Sequence, residues 1–261
     1  PNSVITIVSH AFSGCRGLKS ITVPDGVTTI GSYAFSGCSG LKGITIPGRV
    51  TTIGNYAFYG CTGLKNITIP NSVTTIGSDA FSGCTGLTGV TIGNGLTVIG
   101  NSLFSGCSGL TGITIPDSVT TISRCAFEGC SALISVTIGN GVTSIGNCAF
   151  WNCSGLTDIT IPDGVTTIGT QALEGCSSLT SVTIPGSITS IGSWAFDSCD
   201  NLTDIYYNGF RKEWNKINIG DSAIPSSAVI HYRAAYVEGI SLNKQSIELF
   251  RGETFQLIPI I

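Results

Sequence analysis

The sequence predicts an α/β repeat solenoid, in which similar coils of short strands and short helical segments stack on one another. Three observations predict this fold. Nine cysteines recur at one constant interval, from Cys15 to Cys38 to Cys61 and onward to Cys199. The segments between them share one pattern, as in LKSITVPDGVTTIGSYAFSGCSG at 18–40 and LKGITIPGRVTTIGNYAFYGCTG at 41–63. A single coil cannot bury its own apolar side, but a stack of coils can.

Each coil divides into three sides, described here for the first complete coil. LKSITV at 18–23 alternates apolar and polar residues, which predicts a short strand with its apolar side inward. PDG at 24–26 predicts a turn, since proline presets φ and glycine allows a positive φ. VTTIG at 27–31 predicts a second extended segment. AFSGC at 34–38 places its apolar side chains at about one-turn spacing, which predicts a short helix or 3₁₀ segment.

The repeat consensus LxxIxIPxxVxxIGxxAFxGC resembles the BspA-like class of leucine-rich repeat. The resemblance covers an array at 1–201, made of a partial coil at 1–17 and eight complete coils of equal length. It implies a curved, right-handed leucine-rich-repeat coil with a parallel sheet on its concave side and short extended and helical or 3₁₀ segments on the others. It also implies a place on the bacterial cell surface and roles in adhesion and recognition.

The C-terminal sixty residues follow a different pattern and carry a higher share of charged residues. FRKEWNKI at 210–217 predicts an amphipathic helix, and AVIHY at 228–232 predicts a last strand. We therefore expect a cap at 202–235 that covers the open end of the core, as solenoids require. The segment VEGISLNKQSIELFRGETFQL at 237–257 resembles the start of a group 2 bacterial immunoglobulin-like domain. We expect 236–261 to be the incomplete beginning of such a domain in a longer protein.

Composition and motifs argue against several classes of function. Charged residues make up only 10% of the chain and the net charge is −3, so no basic surface for nucleic acid is expected. The apolar runs are far shorter than the ~20 residues of a membrane-spanning helix. The two histidines lie at opposite ends, and HExxH, GxSxG and P-loop motifs are absent. We therefore predict no catalytic, cofactor or metal site and no membrane insertion within this chain.

The nine periodic cysteines occupy one equivalent position, next to a phenylalanine and on the apolar side of each coil. This placement predicts a buried ladder of reduced thiols, which are small enough for such a slot. Disulfides and zinc are the alternatives, but a straight line of thiols does not converge on a tetrahedral site. The ladder consists of Cys15, Cys38, Cys61, Cys84, Cys107, Cys130, Cys153, Cys176 and Cys199.

Two further cysteines, Cys125 and Cys148, occupy a different position that other coils fill with unrelated residue types. We expect this position to be exposed. Adjacent coils would place the two Cα atoms about 5 Å apart, within reach of a disulfide. The sequence leaves open whether they form a disulfide or stay as two free thiols.

Two sets of exposed side chains are candidates for ligand binding. Three lysines stack in consecutive coils, which indicates either a solvated surface or an anionic partner. Three tyrosines form a strip on another side, either as contacts for a protein or sugar or as covers for neighbouring coils. The sets are Lys19, Lys42 and Lys65, and Tyr33, Tyr56 and Tyr59.

Other polar columns fit structural roles. An outward threonine column running from Thr22 to Thr183 predicts a hydroxyl ladder, and a curved sheet matches an ice lattice poorly. Asp158 and Asp204 lie two coils apart, about 10 Å, near the upper limit for an inverting glycosidase. No bulky cleft surrounds them, so catalysis is not predicted.

The sequence therefore favours a non-enzymatic, surface-exposed module that binds a protein or glycan through a shallow solenoid face. The sequence is also compatible with two alternative functions: a structural spacer, or an array that directs a larger secreted protein to a polymeric substrate.

Overall fold

The computed structural model describes residues 3–233, and in them the chain forms a parallel-sheet solenoid of stacked coils. The predicted fold class is confirmed. The immunoglobulin-like segment predicted at 236–261 lies outside the described residues.

The first sheet is built from the strands that begin each complete coil. Strands of neighbouring coils pair in parallel within four hydrogen-bonded groups: β2-β4, β6-β8, β10-β12 and β14-β16-β18-β20. Within the array each residue lies opposite the equivalent residue of the next coil, as Thr114 does opposite Thr137. The strands are β2 (Ser20–Ile21), β4 (Gly43–Ile44), β6 (Asn66–Ile69), β8 (Gly89–Ile92), β10 (Gly112–Ile115), β12 (Ser135–Ile138), β14 (Asp158–Thr160), β16 (Ser181–Ile184), β18 (Asp204–Tyr207) and β20 (Val229–Tyr232).

The second extended segment of each coil also forms a parallel sheet, made of two-residue strands. Its order is β1-β3-β5-β7, continued by β9-β11-β13-β15-β17-β19. The strands are β1 (Thr6–Ile7), β3 (Thr29–Ile30), β5 (Thr52–Ile53), β7 (Thr75–Ile76), β9 (Val98–Ile99), β11 (Thr121–Ile122), β13 (Ser144–Ile145), β15 (Thr167–Ile168), β17 (Ser190–Ile191) and β19 (Asn218–Ile219). A glycine follows most of these strands, and at most of these glycines the coils approach very closely: a Cβ at Gly54 would clash with the Ser32 nitrogen.

The third side of each coil, which includes AFSGC at 34–38, does not form the short helix or 3₁₀ segment that its apolar spacing predicts. It is a run of turns, in which amide groups alternately bond within the coil and to the next coil. The Ala34 N–H donates to the Gly31 carbonyl at 3.2 Å, whereas the Phe35 N–H donates to the Ala57 carbonyl of the next coil at 2.7 Å. The residue that opens this side, such as Tyr33 at φ 56°, is left-handed, and this conformation interrupts a helix.

This left-handed position recurs in nine consecutive coils and is never a glycine. The φ angles of its occupants lie between 51° and 61°. Such a backbone costs ~1–2 kcal/mol per non-glycine residue, so packing of the coils must offset it. The occupants are His10, Tyr33, Tyr56, Asp79, Ser102, Cys125, Cys148, Gln171 and Trp194.

The core is one continuous cluster that runs through all the coils. Seven phenylalanines, one in most coils, are fully buried. Successive rings stack face to face, with centroids 5.1 Å apart for Phe58 and Phe81. The stack is therefore held by in-register packing of identical side chains as well as by backbone hydrogen bonds.

The C-terminal segment stacks on the array and continues both sheets. Strand β18 pairs with β20, and β17 pairs with β19 across a longer connection. The predicted amphipathic helix is shorter than expected: α1 spans Arg211–Trp214, and it is the single helix in residues 3–233. Glu213 accepts a hydrogen bond from the Phe210 N–H at 3.1 Å, which caps its N-terminus. Trp214 is buried against the last coils.

Candidate functional site

The three predicted lysines form an exposed ladder at the N-terminal end of the first sheet. Each lies just before a strand of that sheet and is exposed. Their backbones are in register, since the Lys42 N–H donates to the Lys19 carbonyl at 3.1 Å and the Lys65 N–H to the Lys42 carbonyl at 3.2 Å. Neither salt bridge within residues 3–233 involves one of them. The ladder is therefore a compact, unneutralised positive surface.

The tyrosine strip lies on the third side and forms a continuous stack. His10 and Tyr33 lie 4.7 Å apart and nearly parallel, and Tyr33 and Tyr56 lie 4.8 Å apart. Tyr59 meets Tyr56 edge-on at 5.7 Å and is 46% exposed. The nearby Asp79 carboxylate raises the pKa of Tyr56. Because both faces of the Tyr33 ring are covered, this strip offers ring edges and hydroxyl groups to a partner.

The structure does not bring the two predicted sets into one site. The lysines border the first sheet, and the tyrosines lie on the turn side of the same coils. A ligand on the lysine ladder would leave the tyrosine stack free, so the two surfaces can be tested separately.

The structure buries eight of the nine periodic cysteines completely or almost completely. Each of the eight thiols donates to the carbonyl of a phenylalanine or leucine in the preceding coil, as in Cys84 to Phe58 at 3.1 Å. Burial raises the pKa of the Cys84 thiol. Cys15 departs from the predicted ladder, since it is exposed.

Cys125 and Cys148 are free thiols in the structure and are less exposed than the sequence suggested. Cys125 is buried and Cys148 is half-buried. Burial, together with the Glu128 carboxylate, raises the pKa of Cys125 to about 12. Burial also raises the pKa of Cys148, in part offset by a hydrogen bond from Cys125. The Cys148 thiol also lies 3.8 Å from the Gln171 side-chain oxygen.

Under oxidising conditions we expect Cys125 and Cys148 to form a disulfide, and to do so slowly. The thiolate is the reacting species, and the raised pKa values leave little of it at neutral pH. Peptide mapping by mass spectrometry after treatment with oxidised glutathione would detect the link. The eight buried ladder thiols should stay reduced because oxidant cannot reach them, whereas the exposed Cys15 can react with glutathione. A Cys148→Ser variant is the control, and Cys125 and Cys148 both recovered as free thiols after prolonged oxidation would contradict the prediction.

The structure also gathers a cluster at the C-terminal end of the first sheet that the sequence analysis did not combine. Tyr206 and His231 stack at 4.8 Å, and the His231 Nε2 lies 2.6 Å from an Asp204 carboxylate oxygen. The Thr203 hydroxyl donates to the other oxygen at 2.7 Å. The Thr203 hydroxyl and then His231 lower the pKa of Asp204. A usable signal was present, since Tyr206 occupies the position that threonine fills in eight earlier coils.

Two negative observations apply to residues 3–233. In this range no three His, Cys, Asp or Glu side chains are arranged so that they could hold a metal ion. No helix there has the length and apolar character needed to cross a membrane.

Stacked coils of equal length, two parallel sheets and a leucine that opens each coil define a leucine-rich repeat solenoid. The family model for the BspA type leucine rich repeat region matches residues 1–111 and 97–223, with six copies. The chain belongs to this family.

Solved structures agree with this assignment. A leucine-rich repeat protein from Bacteroides ovatus is 28% identical, with a TM-score of 0.67 over 87% of this chain and 69% of that one. A leucine-rich cell surface protein from Faecalibacterium prausnitzii is 33% identical, with a TM-score of 0.54 over 81% of this chain and 65% of that one. No curated protein matches the sequence. Repeat proteins of this bacterial surface type are generally binding or structural proteins, and the leucine-rich repeat solenoid is generally non-catalytic.

Proposed function

We propose that the protein is a non-enzymatic binding module, displayed outside a bacterial cell, that recognises a negatively charged protein or glycan. The observation that carries this proposal is the exposed lysine ladder formed by Lys19, Lys42 and Lys65. The surface placement draws support from the family and from the similar cell surface protein of F. prausnitzii.

The charge distribution along the stack supports a ligand at the N-terminal end. Because coils follow one another along the axis, sequence position sets the axial position of each charge. Residues 91–201 hold one basic and seven acidic residues. Residues 1–90 hold two acidic residues, Asp25 and Asp79, and five basic ones: Arg16, Lys19, Lys42, Arg49 and Lys65. A negatively charged ligand is therefore attracted to the first coils and repelled from the later ones.

The three lysine side chains repel one another, and an anionic ligand bound between them would offset this repulsion. Neighbouring lysines have Cα atoms about 4.8 Å apart, as adjacent strands do. Like charges at this spacing repel one another, even when water and salt screen them. A ligand with several negative groups would replace this repulsion by attraction, and its binding would weaken as salt rises.

The test is a binding screen on glycans and extracellular-matrix proteins at low and physiological salt. The variant Lys19→Gln, Lys42→Gln, Lys65→Gln should bind about tenfold more weakly, as three exposed ion pairs imply. The matched control is Thr111→Glu, Thr157→Glu, Thr180→Glu, which makes the same change in net charge at exposed positions of the same column. A third variant, Tyr33→Ala, Tyr56→Ala, Tyr59→Ala, tests the tyrosine strip.

Binding about tenfold weaker in the lysine variant, with affinity kept in the threonine control, would support the proposal. Weaker binding in the tyrosine variant alone would assign the binding module to its other surface. If the unmodified protein bound nothing at either salt concentration, the proposal would fail, and the hypothesis of a structural spacer would be favoured.

A further inference from the structure

At the C-terminal end of the first sheet, two aromatic rings stand next to a column of small threonine side chains. The outward column of this sheet consists of threonines until Thr183, which is in register with Tyr206 and then with His231. A tyrosine ring is much taller than a threonine side chain. The ring of Tyr206 therefore rises above Thr183, and 46% of the residue is exposed.

One face of this ring is covered and the other is open. His231 stacks on the C-terminal side of Tyr206, with an angle of 18° between the ring planes. On the opposite side the neighbour is Thr183, which covers only the base of the ring. This differs from Tyr33 in the tyrosine strip, whose ring is covered on both sides.

Hydrogen bonds orient the His231 ring, which in turn packs on the Tyr206 ring. Thr203 donates to Asp204 at 2.7 Å, and Asp204 contacts the His231 ring nitrogen at 2.6 Å. A ring whose orientation is fixed before binding loses little conformational freedom on binding, which favours affinity for a small ligand.

Beside the two rings lies a depression of about 400 Å³, a volume that falls in the range of small-molecule sites. Its polar lining residues include Asp163, Asn208 and Arg233. These residue types carry hydrogen-bond donors and acceptors, and Tyr206 and His231 add aromatic side chains to the lining. A depression of similar size farther along the first sheet, around Thr91 and Gly112, has no charged or aromatic lining.

We propose that this depression binds a pyranose ring of a neutral glycan. A pyranose has one face of C–H groups, which would pack on Tyr206, and a rim of hydroxyl groups that both donate and accept hydrogen bonds. Asp163 would accept from these hydroxyls, Arg233 would donate to them, and Asn208 would do both. A carboxylate and a guanidinium in the same site favour a neutral polyol over an ion of either sign. The inference rests on the proposed binding function but assigns a second site at the opposite end of the stack.

The test uses the full chain and saturation-transfer NMR with the methyl α- and β-pyranosides of glucose, galactose, mannose and N-acetylglucosamine. A single ring is expected to bind with a Kd of ~1 mM. Tyr206→Ala should weaken binding at least about tenfold, whereas Tyr206→Phe, which keeps the ring face, should change it less than about threefold. Asp163→Asn should weaken binding without altering the ring. The matched control is Tyr59→Ala, since Tyr59 is also 46% exposed but lies near the N-terminal end.

Each outcome separates this site from the lysine ladder. Saturable binding that depends on Tyr206 and Asp163 but not on Tyr59 supports the inference. The result for the lysine variant is independent of this test. If that variant binds every anionic ligand normally, only the proposed function of the lysine ladder is overturned. The inference is overturned if no pyranoside gives saturable transfer, or if Tyr206→Ala binds as tightly as the unmodified protein.

Discussion

Replacing Phe81 by alanine is expected to lower the free energy of unfolding by about 3–5 kcal/mol. The side chain is fully buried, and its ring stacks on Phe58 at 5.1 Å and on Phe104 at 5.6 Å. Removing it leaves a cavity between the neighbouring coils. Solenoids are stabilised by contacts between neighbouring repeats, so two interfaces weaken at once.

Urea unfolding followed by circular dichroism would measure this loss. Phe81→Leu is the matched control, because Leu173 is also fully buried at the equivalent position of a later coil. That variant should lose about 1–1.5 kcal/mol, since a leucine fills much of the volume. The weakened interfaces of Phe81→Ala should also broaden the transition, because the coils on either side then unfold less cooperatively. An unfolding curve identical to that of the unmodified protein would contradict the buried phenylalanine stack.

Replacing Trp214 by alanine is expected to cost a similar ~3–5 kcal/mol, but to act on the last coils only. Trp214 is 6% exposed and meets Tyr207 edge-on at 5.0 Å. It also meets Tyr232 at 6.3 Å. These contacts hold α1 over the open end of the core. Without them the last coils should open locally, while the central coils remain folded.

Hydrogen exchange would locate the effect. Amides of β18 and β20 should exchange faster in Trp214→Ala, and those of β10 and β12 should not change. The control is Trp194→Ala, because Trp194 is 45% exposed and its loss removes little buried surface. Uniformly faster exchange along the whole chain, or no change at β20, would show that the C-terminal segment does not act as a cap.

The regular part of the fold was predictable because it repeats. Alternation in 18–23 and 27–31, copied at the same interval in every coil, indicates two strands per coil, and both sheets are present. The third side was not predictable from periodicity. Its apolar positions have helical spacing, but the residue at its start is left-handed, and half of its amides bond to the next coil instead of to their own. Such backbone bonds between coils cannot be recognised from the residue pattern of a single coil.

The candidate sites were predictable to different degrees. The lysine and tyrosine sets could be read as columns because equivalent positions recur at a constant interval. The cluster around Tyr206 could not, because the spacing changes at the C-terminal end. Tyr206 pairs with His231, whereas the interval of the earlier coils would pair it with Val229. The Asp204–His231 contact depends on this altered spacing.

The hydrogen bonds that join neighbouring coils also decide how the molecule would respond to tension. An interior coil is bonded to two neighbours, and a coil at either end to only one, so a pull on the chain ends should detach coils from the ends inward. Each detached coil would lengthen the chain by roughly 70–80 Å, the extended length of one repeat less one strand spacing. The solenoid would thus lengthen in equal steps while its remaining coils stay folded.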